Sequence, residues 1–168
     1  MKRIYRILIC ILLVALTLCA FASCDDKPQP KTLADVIPEL NEHEVAVIIK
    51  NGEGEYEVYV VDLVEDMGAT SSSLCSILLI HLQNTEELYV DWTLTEYGKF
   101  INAIGGITPD ASKNEYVEVF TTNPNYQGTW AGVTTIEAGD ITLKSASVGV
   151  SILQVRFGDV VYFELASY

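Results

Sequence analysis

Residues that could act as nucleophiles or general bases are few in this sequence. It contains two histidines, His43 and His81, and four cysteines. Cys75 and His81 fall in one predicted helix, at a spacing that sets their side chains about 120° apart around its axis. A Cys–His pair is therefore disfavoured, and no Ser–His–Asp order, phosphate-binding glycine loop or zinc-ligand spacing occurs. Any two of the 23 acidic side chains could still converge as an acid–base pair, but the sequence predicts a protein that is not an enzyme.

Three aromatic residues in predicted loops are the best candidates for binding a ligand: Tyr97, Tyr126 and Trp130. Exposed aromatic rings offer a stacking surface to sugars, planar rings or partner proteins. The alternative for Trp130 is that it folds back over the sheet edge as part of the core. Four other aromatic residues lie within predicted strands and are expected in the core: Trp92, Phe100, Tyr162 and Phe163.

The charge of the chain limits its partners. The formal net charge of −13 repels a phosphate backbone, so nucleic acid is not an expected partner. Acidic turns at residues 52–55 and 62–66 could approach calcium, but they lack the regular alternation of a calcium-binding loop. They are interpreted as solvated turns, and neither a metal site nor a cofactor is predicted.

The N-terminus has the features of a secretory signal. Basic residues precede an uncharged apolar block, residues 7–20, which is shorter than the roughly 20 residues of a membrane-spanning helix. Small residues followed by Cys24 resemble the lipobox of bacterial lipoproteins, in which the cysteine is lipidated. The sequence therefore predicts a signal peptide at residues 1–23 and a lipid anchor at Cys24 on the extracytoplasmic face of a bacterial membrane. A simple secreted protein, cut nearby, is the alternative.

This processing would leave Cys75 as the only free thiol. Cys10 and Cys19 would leave with the signal peptide, and Cys24 would be lipidated. No disulfide could then form within the chain. Because Cys75 lies in an apolar helix, it is interpreted as a buried, unreactive thiol.

The rest of the chain divides into a tether and one domain. Residues 24–42 are polar and proline-containing, which is typical of a semi-extended tether, and residues 43–168 are predicted to form a single domain. The serines at 71–73 predict the start of a helix over residues 72–83, and Asn51-Gly52 predicts a hairpin. Strands are predicted at residues 44–50, 56–62, 88–94, 100–104, 116–121, 134–136, 141–144 and 160–165.

The first and last strands determine the predicted topology. Both are unbroken apolar runs, so both of their faces should be covered. We therefore expect them side by side and parallel in the sheet centre, with the helix in the crossover. The predicted fold is α+β: a β-grasp-like mixed sheet covered by one helix, with an inserted loop or small hairpin before the last strand.

Short glycine-centred motifs carry a family resemblance. They are YGKFI at 97–101, AIGG at 103–106, VGV at 148–150 and FGDVVYF at 157–163. Together with the serine-led helix, they resemble the transcobalamin-like C-terminal domain of bacterial lipoproteins, which is similar to the β-domain of the vitamin B12 carriers. The resemblance implies a β-grasp-like fold and, in the carriers, a lid over the corrin ring.

These observations predict a non-enzymatic, lipid-anchored binding module at the cell surface. Its ligand would be a small molecule, for which a corrinoid is one candidate. The alternative is a structural or adhesive envelope module that binds a protein or polysaccharide through the exposed sheet edge and the loop of Tyr126 and Trp130.

Overall fold

The computed structural model describes residues 31–85 and 88–168, and Lys31–Tyr168 forms one compact unit. The predicted signal peptide, residues 1–23, and the predicted lipidation site, Cys24, lie outside the described residues. The described part of the chain is a mixed α+β structure, mostly sheet, as the sequence predicts.

The described residues contain one α-helix, α1 (Cys75–Asn84), and two short 3₁₀ helices, Leu33–Asp35 and Ala111–Lys113. The strands are β1 (Glu44–Lys50), β2 (Tyr56–Asp62), β3 (Ser72–Leu74), β4 (Val90–Thr95), β5 (Gly98–Ile104), β6 (Glu115–Thr121), β7 (Thr135–Ala138), β8 (Ile141–Ser145), β9 (Gln154–Arg156) and β10 (Val160–Ser167). All eight predicted strands and the predicted helix are present, with shifted ends.

A mixed sheet of six strands forms the centre of the structure, in the order β2-β1-β10-β6-β8-β7. β1 and β10 are parallel neighbours, with Val47 opposite Val161 and Ile49 opposite Phe163. The other pairings in this sheet are antiparallel. The expectation that the two unbroken apolar strands lie side by side and parallel is confirmed.

The sheet has an apolar core on each face. On one face, Val47, Val161 and Phe163 pack in a core that also contains the apolar side of α1. On the other face, Ile48 and Tyr162 pack with the buried Leu33. Packed residues therefore begin at Leu33, inside the segment predicted as a tether. The apolar runs of β1 and β10 do not alternate with polar residues because both faces of these strands are covered.

The helix begins later than predicted, and the serines do not cap it. The serines at 72 and 73 lie in β3, which pairs with β9, and Leu74 occupies the cap position without a side-chain hydrogen bond. The first free amides of α1 bind a loop instead: Cys75 N donates to Leu153 O at 2.8 Å and Ser76 N to Val150 O at 2.9 Å. These bonds satisfy donors that a serine cap would otherwise satisfy, and they fix the loop at residues 149–153.

The hairpin of β4 and β5 forms a separate two-stranded sheet. Because one of its faces is left uncovered, the prediction that Phe100 is in the core is wrong: this side chain is 58% exposed. Trp92 is only partly buried, and Lys99 Nζ lies 4.0 Å from the centre of its ring. Tyr162 and Phe163 are buried, as predicted.

Replacing Phe163 by Ala should lower the free energy of unfolding by about 3–5 kcal/mol, because it opens a cavity beside the β1–β10 pair. Leu165→Ala is the matched control, since Leu165 lies on the same face of the same strand and is partly exposed. The control should cost about 1 kcal/mol. Urea denaturation of both variants measures the difference, and equal losses would contradict the packing described.

Candidate functional site

One edge of β6 is left largely uncovered by the neighbouring strand. β8 pairs with β6 only at Phe120 and Thr121, after which Ala146 N donates to Val119 O at 2.7 Å and the chain turns away. Within the described residues, positions 115–119 of β6 have no strand partner on this side. The short β8 therefore leaves a groove along β6.

Two adjoining cavities make up this groove. The larger, of about 380 Å³, is lined by Tyr116, Val117, Glu118, Val119, Trp130, Ser145, Ala146, Ser147, Val148 and Gly149. The smaller, of about 150 Å³, is lined by Lys99, Phe100, Ile101, Val117, Val119, Gly149 and Val150. The two cavities share Val117, Val119 and Gly149, so they form one surface, which we call the β6 groove. Trp130 borders its larger cavity and Phe100 its smaller one.

The indole of Trp130 is held in place by its own turn. A β-carbon at Gly128 would overlap the six-membered ring of Trp130 and would lie 2.8 Å from Val133 Cγ2. Gly128 N also donates to Ser145 O at 2.8 Å, which ties the turn to β8. The ring therefore lies directly against backbone, and it remains 51% exposed beside the larger cavity. The alternative that Trp130 belongs to the core is wrong.

Polar groups border the larger cavity close to Trp130. Ser145 Oγ donates to Glu118 Oε1 at 2.6 Å, which orients the carboxylate. Ser147 N and Ser147 Oγ both donate to Tyr126 O, at 2.7 and 3.0 Å. A carboxylate, two hydroxyls and an aromatic ring therefore meet in one place. Carboxylate and hydroxyl oxygens can accept hydrogen bonds from a bound molecule.

The other wall of the groove is the β4–β5 hairpin, which is fastened to the loop at residues 149–153. Lys99 N donates to Ser151 Oγ at 2.8 Å. Gly98 has φ +105°, and a β-carbon there would come within 2.8 Å of Ser151 Cβ and Oγ. Only glycine allows this close approach, and it sets the position of Phe100 relative to β6.

The structure separates the three aromatic residues predicted to bind a ligand. Trp130 lines the β6 groove. Tyr126 does not line the groove. Its side chain packs against the core that contains the apolar side of α1, and its carbonyl positions Ser147. Tyr97 is 85% exposed at the tip of the β4–β5 hairpin and lines neither cavity. Phe100, Glu118 and Ser147 also line the groove, although the sequence did not indicate them as ligand residues. Phe100 was predicted in the core, and Glu118 and Ser147 are brought to one cavity only by the fold.

The acidic turn at 62–66 and His43 make local structural contacts in the part of the chain that the structure describes. No group of three or more His, Cys, Asp or Glu side chains there could hold a metal ion. Asp62 and Asp66 bind backbone amides of their own turn. The ring of His43 packs on Phe157, with the ring centres 4.9 Å apart. No helix in residues 31–85 or 88–168 has the length and apolar character needed to cross a membrane.

Cys75 is fully buried, as predicted, and burial raises the pKa of its thiol to about 12. Burial disfavours the charged thiolate, which is the nucleophilic form. Cys75 therefore lacks the properties of a catalytic cysteine at neutral pH.

Comparison with known proteins supports the fold alone. No protein-family model matches the chain, and a search of curated proteins found no match. Among solved structures, the chain is similar to a crystal structure from Ruminococcus gnavus ATCC 29149 described as a "putative metal binding protein". The two share 17% sequence identity and a TM-score of 0.50, over 76% of this chain and 99% of the other.

Gly98→Ala should destabilise the protein more than Gly54→Ala. Both residues have positive φ, but a β-carbon at Gly54 would meet nothing within 4 Å, whereas one at Gly98 would collide with Ser151. We expect the backbone cost of about 1 kcal/mol at both positions and an added steric cost only at Gly98. Thermal denaturation measures the loss of stability in both variants. Adding Ser151→Gly to Gly98→Ala should remove part of the added steric cost. Equal destabilisation by the two alanines would show that the hairpin is not held by this contact.

Cys75 should not react with a thiol reagent at pH 8 until the protein unfolds, because almost no thiolate forms that far below a pKa of about 12. A chain without residues 1–24 has Cys75 as its sole cysteine, and disulfide exchange with a chromogenic reagent measures the reaction with and without urea. Ile77→Cys in a Cys75→Ala background is the control, since Ile77 is half exposed on the same helix and should react at once. Rapid reaction of native Cys75 would be the contrary result.

Proposed function

We propose that the protein is a non-enzymatic binding module, held by a lipid on Cys24 at the extracytoplasmic face of a bacterial membrane. The ligand site in this proposal is the β6 groove. The observation that carries it is the half-exposed indole of Trp130, supported by backbone, beside a cavity of about 380 Å³. Small-molecule sites typically measure about 300–1,000 Å³ and combine apolar walls with a few polar groups. Val117, Val119 and Trp130 supply the walls, and Glu118 and the serines supply the polar groups.

The β-grasp arrangement and the kinship with transcobalamin-like domains belong to the same proposal. They are supported by the parallel pair of β1 and β10 and by α1, which packs on one face of that pair. The ligand implied by the kinship is a corrinoid. A corrinoid is much larger than the β6 groove, so it would rest one face on Trp130 and leave most of its surface in solvent.

The alternative function, a structural or adhesive envelope module, is favoured by the shape of the groove. The two cavities adjoin along β6 and are bordered by Trp130 and Phe100, and both rings are exposed to solvent. Such a surface can hold part of a polymer. A protein or polysaccharide partner would lie along β6 in this version.

Trp130→Ala should weaken the binding of a ring-shaped ligand about 2- to 13-fold, because it removes a stacking contact worth about 0.5–1.5 kcal/mol. Saturation-transfer difference NMR with dicyanocobinamide, adenosine and cellobiose as probes can measure this loss. Tyr97→Ala is the matched control, since it removes an exposed aromatic ring outside the groove. The Tyr97→Ala variant should bind each probe with unchanged affinity. Binding that survives in Trp130→Ala at full strength would place the ligand elsewhere.

A further inference from the structure

We propose that the β6 groove binds a neutral oligosaccharide, with one sugar ring on Trp130 and a second near Phe100. This inference rests on the proposed function, since it takes the groove as the ligand site and assigns the chemical class of the ligand. Four features of the groove support it: the support of the indole, the polar groups beside it, the length of the groove and its charge.

The support beneath Trp130 makes its ring a fixed platform. Gly128 lacks the β-carbon that would push the indole away, and Gly128 N is bound to Ser145 O. A pyranose ring has an apolar face of C–H groups that matches such a flat aromatic surface. Because the indole is positioned before the ligand arrives, little side-chain freedom is lost on binding.

The polar groups suit a ligand that has hydroxyls around its edge. Glu118 presents a carboxylate oriented by Ser145, and hydrogen bonds from a hydroxyl to a carboxylate are among the strong ones. Val117 adds backbone groups to the groove floor. Backbone groups of alternate residues point to the same side of a strand, so Val117 directs its N–H and C=O toward the open side, as Val119 directs its C=O to Ala146.

The length of the groove favours more than one ring. The cavities of about 380 and 150 Å³ adjoin at Val117, Val119 and Gly149, and each is bordered by an exposed aromatic side chain. A single small molecule would use Trp130 and leave Phe100 without a role. A chain of sugar rings uses both, and it can continue past either end because the groove is open.

The charge favours a neutral glycan over an anionic one. Glu118 lies in the groove of a chain whose formal net charge is −13, so phosphates and uronic acids would be repelled. Lys99 borders the smaller cavity, but its ammonium lies 4.0 Å from the centre of the Trp92 ring. Lys99 is the one cationic side chain among the described lining residues, and it does not line the larger cavity, where Trp130 and Glu118 lie.

An extended peptide added to β6 as a strand fits less well. Strand addition uses a row of free backbone groups along an edge. On this edge the Val119 carbonyl already binds Ala146 N, and the Glu115 amide already binds Asp110 O at 3.3 Å. Only Val117 keeps both its N–H and its C=O directed at the groove. One residue is too few to align a strand, but its two groups are enough to bind a sugar hydroxyl.

The test measures Trp130 fluorescence in the full chain carrying Trp92→Phe, purified in a detergent without a sugar headgroup. The probes are cellohexaose, maltohexaose, xylohexaose, laminarihexaose and mannohexaose, with the monosaccharide of each, a uronic-acid oligomer, dicyanocobinamide and a valine-rich hexapeptide for comparison. At least one neutral hexaose should give a saturable shift. Its affinity should exceed that of its own monosaccharide by about tenfold, or about 1.4 kcal/mol, because a second ring is bound.

Two variants, Gly128→Ala and Phe100→Ala, test the two aromatic borders of the groove separately, so the test does not depend on a single variant folding correctly. Gly128→Ala keeps the indole but displaces it, and it should weaken hexaose binding about as much as Trp130→Ala, roughly tenfold. Saturation-transfer difference NMR measures binding to both variants, because Trp130→Ala in the Trp92→Phe chain has no tryptophan fluorescence. Phe100→Ala should weaken binding of the hexaose and leave binding of the monosaccharide unchanged. Tyr97→Ala should alter neither, and circular dichroism checks that each variant is folded.

The proposal is overturned if no neutral hexaose binds at millimolar concentration, or if binding is indifferent to Trp130 and Gly128. Its failure is distinguishable from failure of the proposed function. If cobinamide or the peptide shifts Trp130 fluorescence while the sugars do not, the groove is a ligand site and the oligosaccharide assignment is wrong. If no probe is sensitive to Trp130, both are wrong.

Discussion

The parallel pairing of β1 with β10 is the constraint on which the rest of the structure depends. It joins strands from the two ends of the packed chain, so the chain must cross over from β2, on one side of the pair, to β6, on the other. A parallel pair needs a crossover, and α1 lies in it, packed on one face. The residues at 33–40 cover the other face. Both central strands are therefore buried on two sides, which accounts for their unbroken apolar composition.

The same pairing determines where the chain can leave surface open. β10 uses one edge for β1 and the other for β6, so on the β10 side of the pair β6 is the first strand that can have an open edge. β8 covers only two residues of that edge before the chain turns toward β9 and the start of β10. The groove is thus the place where a short strand ends beside a longer one. It lies on a rigid floor, because β6 is paired with β10 along its whole length.

How much of this could be predicted from the sequence depends on the range of the interaction involved. Burial of β1 and β10 was predictable because unbroken apolar strands have one stable environment. The helix start was not, because Leu153 and Val150 satisfy its amides from about 75 residues farther along the chain, and this contact leaves no local sign at the serines. Phe100 was assigned to the core because strand alternation says which residues share a face, but not whether that face is covered. Trp130 was predicted to bind a ligand from its aromatic type and its place in a predicted loop.

The site itself depends on two glycines whose role is visible only in three dimensions. Gly128 lets the indole lie on backbone, and Gly98 lets the β4–β5 hairpin reach Ser151, so one glycine sets each aromatic border of the groove. In the sequence both resemble ordinary turn residues. An indole that belonged to the core could be held by a looser turn at Gly128. About half of the Trp130 side chain is instead exposed to solvent. A backbone shaped to fix an exposed indole stabilises the fold little, and it leaves the exposed half of that indole beside the larger cavity.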